Sequence, residues 1–72
     1  MRANALCFGD VFLFEGIEFV AIDNYNETEN GNFLWVTNRN SYINSGDQTS
    51  TTATLITLYP DDCVELIENI SD

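Results

Sequence analysis

At 72 residues the chain has room for one domain, 1–72. Ordering it costs on the order of 100 kcal/mol of conformational entropy, and a hydrophobic content of 44%, including five Phe, three Tyr and one Trp, supplies a core to oppose that cost. Twelve acidic residues against two basic ones, a net charge of −10, exclude nucleic-acid binding by phosphate neutralisation and electrostatic attachment to anionic lipid.

Both cations are arginines, Arg2 and Arg39, and there is no Lys or His. Schiff-base chemistry, the usual imidazole base and the commonest transition-metal ligand are therefore missing, so a non-catalytic role without metal or cofactor is expected. A charge-steered partner should be basic.

The N-terminal stretch from Met1 to Phe8 meets Gly9-Asp10 before an apolar run develops, unlike a signal peptide. No uncharged apolar run nears the roughly 18 residues that cross a bilayer, and a soluble, cytoplasmic protein is expected. Cys7 and Cys63 lie near opposite ends of the chain. A bridge between them would add about 4 kcal/mol in the chain-entropy model, but without an export signal two reduced, partly buried thiols are the favoured reading.

Val11 to Phe14 and Ile17 to Ile22 are rich in β-branched and aromatic residues, and Glu15-Gly16 between them suits a tight hairpin turn. Phe12 and Phe14 share one face, as do Ile17, Phe19 and Ala21, and hairpin pairing brings the two sets together as a core wall. Val11, Leu13, Val20 and Ile22 make the reverse face apolar too. A sheet curled into a small barrel, or covered on its second side, accommodates both.

Asn30-Gly31 is a favoured type I′ pair before Phe33 to Asn38, predicting a second hairpin with the first strand extended towards Tyr25. The stretch Asn26-Glu27-Thr28-Glu29-Asn30-Gly31 also has oxygen-bearing residues at alternate positions. As a calcium loop it lacks the opening Asp and the closing Glu, with Thr37 at the twelfth position, so the hairpin turn is the better explanation. Asn38 to Asn40 reads as a turn and Ser41 to Asn44 as a short strand.

The tract Thr49 to Thr54 leads into a strand placed from near Thr52 to Leu58, and Tyr59-Pro60-Asp61-Asp62 forms a turn. Cys63 to Ile67 reads as a strand that covers the edge of an early one. The spacing of Cys63, Leu66, Ile67 and Ile70 leaves a short C-terminal helical turn as the alternative.

The run Gly9-Asp10-Val11-Phe12-Leu13-Phe14-Glu15-Gly16-Ile17-Glu18-Phe19-Val20-Ala21 resembles the opening hairpin of small SH3-like barrels. The ending Tyr59-Pro60-Asp61-Asp62-Cys63-Val64-Glu65-Leu66-Ile67 is similar to the turn and closing strand of short SH3-like or Tudor-like proteins, including phage-encoded ones. The resemblance covers under half of the chain. It implies an all-β, SH3-like barrel of about five strands and no particular functional residue.

Carboxylates gather in two stretches: Glu15, Glu18, Asp23, Glu27 and Glu29 around the first turns, and Asp61, Asp62, Glu65, Glu68 and Asp72 at the C-terminus. Alternate strand residues lie about 6.7 Å apart and neighbouring strands about 4.8 Å, so acids on adjacent strands can build a dense anionic surface. The favoured function is an acidic protein-binding module, an inhibitor or DNA mimic of the phage type that covers the basic surface of a nucleic-acid-handling or defence protein. Its candidate contacts are Glu15, Glu18, Asp61, Asp62, Glu65 and Glu68.

The alternative is an assembly module that oligomerises or joins a larger particle through Val11, Leu13 and Val20. A third reading is a ligand- or peptide-binding barrel using Tyr25, Trp35 and Tyr42. Asp61-Asp62 reads as a pair of turn residues because no nucleophile or oxyanion motif accompanies it. Tyr25, Phe33 and Trp35, without cations to track phosphates, are expected in the core, and Arg39 should neutralise a nearby acid.

Overall fold

The computed structural model describes residues 1–27, 31–44 and 53–71. Five strands, β1 (Asp10–Phe14), β2 (Ile17–Ala21), β3 (Phe33–Thr37), β4 (Thr54–Thr57) and β5 (Glu65–Asn69), form one antiparallel sheet in the order β4-β3-β2-β1-β5. One short helix, α1 (Arg39–Asn44), lies between β3 and β4. The expected all-β, five-stranded architecture is present. The sheet is open, with β4 and β5 as its two edges.

The β1–β2 hairpin follows from its sequence. Glu15 and Gly16 have φ of 54° and 78°, the two positive values that a type I′ turn demands, and strands of matching twist leave it in register Phe12↔Phe19 and Phe14↔Ile17. Phe12 and Phe19 therefore meet on one face, their ring centroids 5.7 Å apart. The same face continues through Ala21, Leu34, Val36 and Leu58, all fully or almost fully buried, with Phe14 and Ile56 half-buried at its margin. Truncating a residue as enclosed as Phe12 to Ala would cost about 3–5 kcal/mol. Ile17 shares this parity yet is 57% exposed, because it stands at the turn end of the hairpin.

A 3₁₀ turn at Ala3–Ala5 closes one side of the core with Ala3 and Leu6. It is held by the C-terminal segment: Ala3 N–H donates to the Asp62 carbonyl (2.9 Å), and Met1 and Val64 exchange hydrogen bonds of 3.1 and 2.8 Å. Tyr25 completes that side. β2 ends at Ala21, and Tyr25 lies in a second 3₁₀ turn, Tyr25–Glu27, not in an extended strand. The reason is a buried hydroxyl, since Tyr25 Oη donates to the Leu58 carbonyl at 2.6 Å and its ring fills the core. Gly31 has φ of 70°, while Asn30 of the expected Asn-Gly pair lies outside the described residues.

Ser41 to Asn44 is helical, correcting the predicted short strand. Asn38 explains the change: its side-chain Oδ1 accepts from Ser41 N–H (2.7 Å) and its carbonyl from Tyr42 N–H (3.0 Å), which caps α1 and turns the chain off the sheet. Consequently only Val20↔Thr37 and Ala21↔Val36 pair β2 with β3. Among the described residues of the Thr49 to Leu58 stretch, β4 begins at Thr54, and Thr49 to Thr52 lie outside them.

The C-terminal segment is a strand, as favoured, shifted two residues to Glu65–Asn69. It pairs with β1 as Leu13↔Glu65, Phe12↔Leu66 and Val11↔Glu68, so Ile67 is the extra residue of a bulge. Asn69 locks this pairing. Its amide donates to the Asp10 carboxylate (2.8 Å) and to the Phe8 carbonyl (3.1 Å), while the other Asp10 oxygen accepts from Cys7 N–H (2.8 Å).

Candidate functional site

Side-chain alternation puts Glu18, Glu65 and Glu68 on the sheet face opposite Phe12, because they pair with or beside the outward-facing Leu13 and Val11. That face is treated differently in its two halves. Over β1 and β2, Val11 and Val20 are fully buried although they belong to the outer parity, and α1 packs against β2. The Phe8 and Tyr42 rings sit 5.9 Å apart, tying α1 to the segment entering β1. The Val11, Leu13 and Val20 face expected to mediate assembly is thus already enclosed at Val11 and Val20 by the chain itself.

Arg39, at the start of α1, reaches across this half. Its guanidinium lies 2.6 Å from Glu68 on β5 and 3.5 Å from Glu18 on β2, spanning the intervening β1. Hydrogen bonds to Glu68 and then Glu18 raise the Arg39 pKa above its ordinary value, holding the cation charged. The expectation that Arg39 neutralises an acid is met twice over, and it removes two of the six candidate contacts from a free anionic surface.

The remaining candidates separate. Glu15 is exposed at the tip of the first hairpin, and Glu65 is exposed at the start of β5. Asp61 forms an ion pair with Arg2 at 3.3 Å in which both side chains are open to solvent, at 85% and 70%. Asp62 serves the turn: its carboxylate accepts from Tyr59 N–H (2.8 Å) while its own N–H donates to the Tyr59 carbonyl (3.0 Å). Both aspartates are turn residues, as read from sequence. They also act on Tyr25, whose pKa is raised by burial first and by the Asp62 and Asp61 charges next.

The aromatic residues fall out otherwise than expected. Tyr25 is in the core, but Phe33 and Trp35 are 41% and 38% exposed on the outer face, since the inward positions of β3 are Leu34 and Val36. Trp35 pairs with Leu55, itself 40% exposed, and Phe33 with Thr57. On the other side of Trp35, its carbonyl accepts from Ile22 N–H at 3.0 Å. Among the described residues, the outer face of β3 and β4 therefore carries a strip of partly exposed apolar side chains. Its one signal in the sequence is the alternation Phe33-Leu34-Trp35-Val36, which says that the faces differ without saying which is inside. Tyr25, Trp35 and Tyr42 are divided among the core, this strip and the Phe8 contact, so they do not converge on one pocket.

Cys7 and Cys63 are free and exposed, correcting the expectation of partial burial. Among the described residues no three His, Cys, Asp or Glu side chains gather as a metal site. No helix of the described residues is long and apolar enough to cross a membrane. Comparison with protein-family models, with curated proteins and with solved structures matched nothing.

Proposed function

We propose that this protein is a non-catalytic acidic binding module, of the inhibitor or DNA-mimic kind, whose partner is a protein with a basic surface that handles nucleic acid. The observation that carries this reading is how its cations are used. Arg39 is engaged by Glu18 and Glu68 and Arg2 by Asp61, so both arginine side chains are turned to the chain's own carboxylates. The surplus that remains is negative, with Glu15 and Glu65 exposed and a net −10 to attract a cationic surface.

The fold that accompanies it is an open SH3-like barrel. The strand order β4-β3-β2-β1-β5, with the last strand returning antiparallel to the first, supports that assignment.

Affinity capture from a bacterial lysate at low and high salt, with duplex DNA as competitor, tests the function. Capture should fall steeply with salt and be displaced by DNA, and Glu15→Gln with Glu65→Gln should weaken it. Salt-insensitive capture that DNA does not displace overturns the reading.

A further inference from the structure

We infer that Glu18 and Glu68 form a guanidinium site for an arginine of the cationic partner, filled in the free protein by Arg39 as an autoinhibitory latch. This rests on the proposed binding of a basic protein and names the side chain that its anionic surface selects.

The chemistry of the site is shown by its occupant. Glu18 on β2 pairs with Leu13 and Glu68 on β5 pairs with Val11, so the two carboxylates flank β1 on one sheet face. A guanidinium spans the strand between them because its nitrogens diverge. Nη1 of Arg39 lies 2.6 Å from Glu68 Oε2, and Nη2 lies 3.5 Å from Glu18 Oε2. An ammonium is a compact point charge and lacks this fork. Val11 and Leu13 of β1 lie between the two acids on the same face, and apolar neighbours suit a guanidinium, the more weakly hydrated of the two cations.

The occupant can be exchanged. The Arg39 side chain is 33% exposed, Glu18 41% and Glu68 52%, and ion pairs so open to solvent hold weakly. Beside them lies an open cavity of about 460 Å³ lined by Glu18, Asn38, Arg39, Asn40, Ser41 and Ile43, which gives an incoming side chain room to meet Glu18 as Arg39 leaves. Arg2 differs: among the described residues it pairs with one acid, Asp61, at 3.3 Å. A latch that fills a site reduces apparent affinity by the fraction of molecules in which the site is free, so removing it should strengthen binding.

The test uses the intact protein and two short peptides, alternating Arg–Ser and alternating Lys–Ser, titrated by calorimetry at low salt. Arg39→Gln and Arg2→Gln make the same change in net charge. Arg39→Gln should nevertheless tighten Arg–Ser binding at least about fivefold and Arg2→Gln about twofold or less, whereas Lys–Ser should gain equally from both. Adding Glu68→Gln to Arg39→Gln should cancel the gain. In the native protein, the Nε–H resonance of Arg39 should move to the position of a free guanidinium as unlabelled Arg–Ser binds. That measurement needs no substitution, so it decides the matter even where Arg39→Gln disturbs α1.

Equal gains from the two arginine variants, or Arg–Ser binding that leaves the Arg39 resonance unmoved, overturn the latch and leave the anionic-surface reading standing. A fivefold gain shared by Lys–Ser overturns the guanidinium site. Failure of both peptides to bind overturns this inference and the proposed function together.

Discussion

The Arg39 guanidinium donates to the Glu68 carboxylate at 2.6 Å, joining residues 29 apart in the chain and fastening the first turn of α1 to an edge strand. With Glu18 on the other side, one cation holds apart two acids that would otherwise repel each other across β1. Arg39→Gln should therefore lower the urea midpoint, most of all at low salt. At about 1 M salt, where the Debye length is about 3 Å, the deficit should shrink by more than half. The raised Arg39 pKa means that its contribution is complete below its ordinary value and is lost only as pH rises through the raised one, so this residue adds no slope between neutral pH and mild alkali.

Asp10 is 6% exposed and ties Cys7 N–H to the Asn69 amide, fixing both the entry to β1 and the end of β5. Asp10→Ala removes two charge-assisted hydrogen bonds. A loss of about 2–4 kcal/mol in equilibrium denaturation is expected.

Gly9 and Gly16 both have positive φ, at 87° and 78°, but their surroundings differ. A Cβ on Gly9 would overlap the Ser71 side chain and lie 2.8 Å from the Ser71 backbone nitrogen, while one on Gly16 meets nothing within 4 Å. Gly16→Ala should cost about 1 kcal/mol of backbone strain and Gly9→Ala about 2–4 kcal/mol, since the C-terminal segment must also move. Thermal melts of the two variants rank them directly.

Tyr25 retains its proton in the fold longer than in the unfolded chain, because burial and then the Asp62 and Asp61 charges oppose ionisation. A raised native pKa gives stability that is fully present below the ordinary value of 10.0 and declines as pH rises through the native one. Tyr25→Phe should lower stability by about 1–2 kcal/mol at neutral pH, through loss of the 2.6 Å bond to the Leu58 carbonyl, and should flatten the alkaline decline. Denaturation between about pH 7 and 11 separates the two effects.

The first hairpin was legible because alternation, β-branched residues and Gly16 all point to the same local structure. The C-terminal strand was legible for a different reason: β1 needs a second neighbour, and that need outweighed an ambiguous hydrophobic period. Local pattern failed where a side-chain hydrogen bond to the backbone decides, as at Asn38, which caps α1, and at Tyr25, whose hydroxyl draws it into the core. It failed again at β3, where both faces are apolar and only the tertiary arrangement sends Leu34 inward and Trp35 outward. The acids were countable from sequence, but their pairing was not, since Arg39 meets Glu18 and Glu68 only after three elements have come together.

The two edge strands of the sheet bear on colloidal behaviour. Among the described residues β4 and β5 each have a neighbour on one side only, and β5 exposes Leu66 and Ile67 between Glu65 and Glu68. Such borders invite strand-to-strand stacking between molecules, and mutual repulsion among ionised side chains is what discourages it. Acidifying a concentrated sample towards its isoelectric point near 4.1 should therefore bring turbidity and thioflavin-positive material, which returning to neutral pH at an early stage should clear.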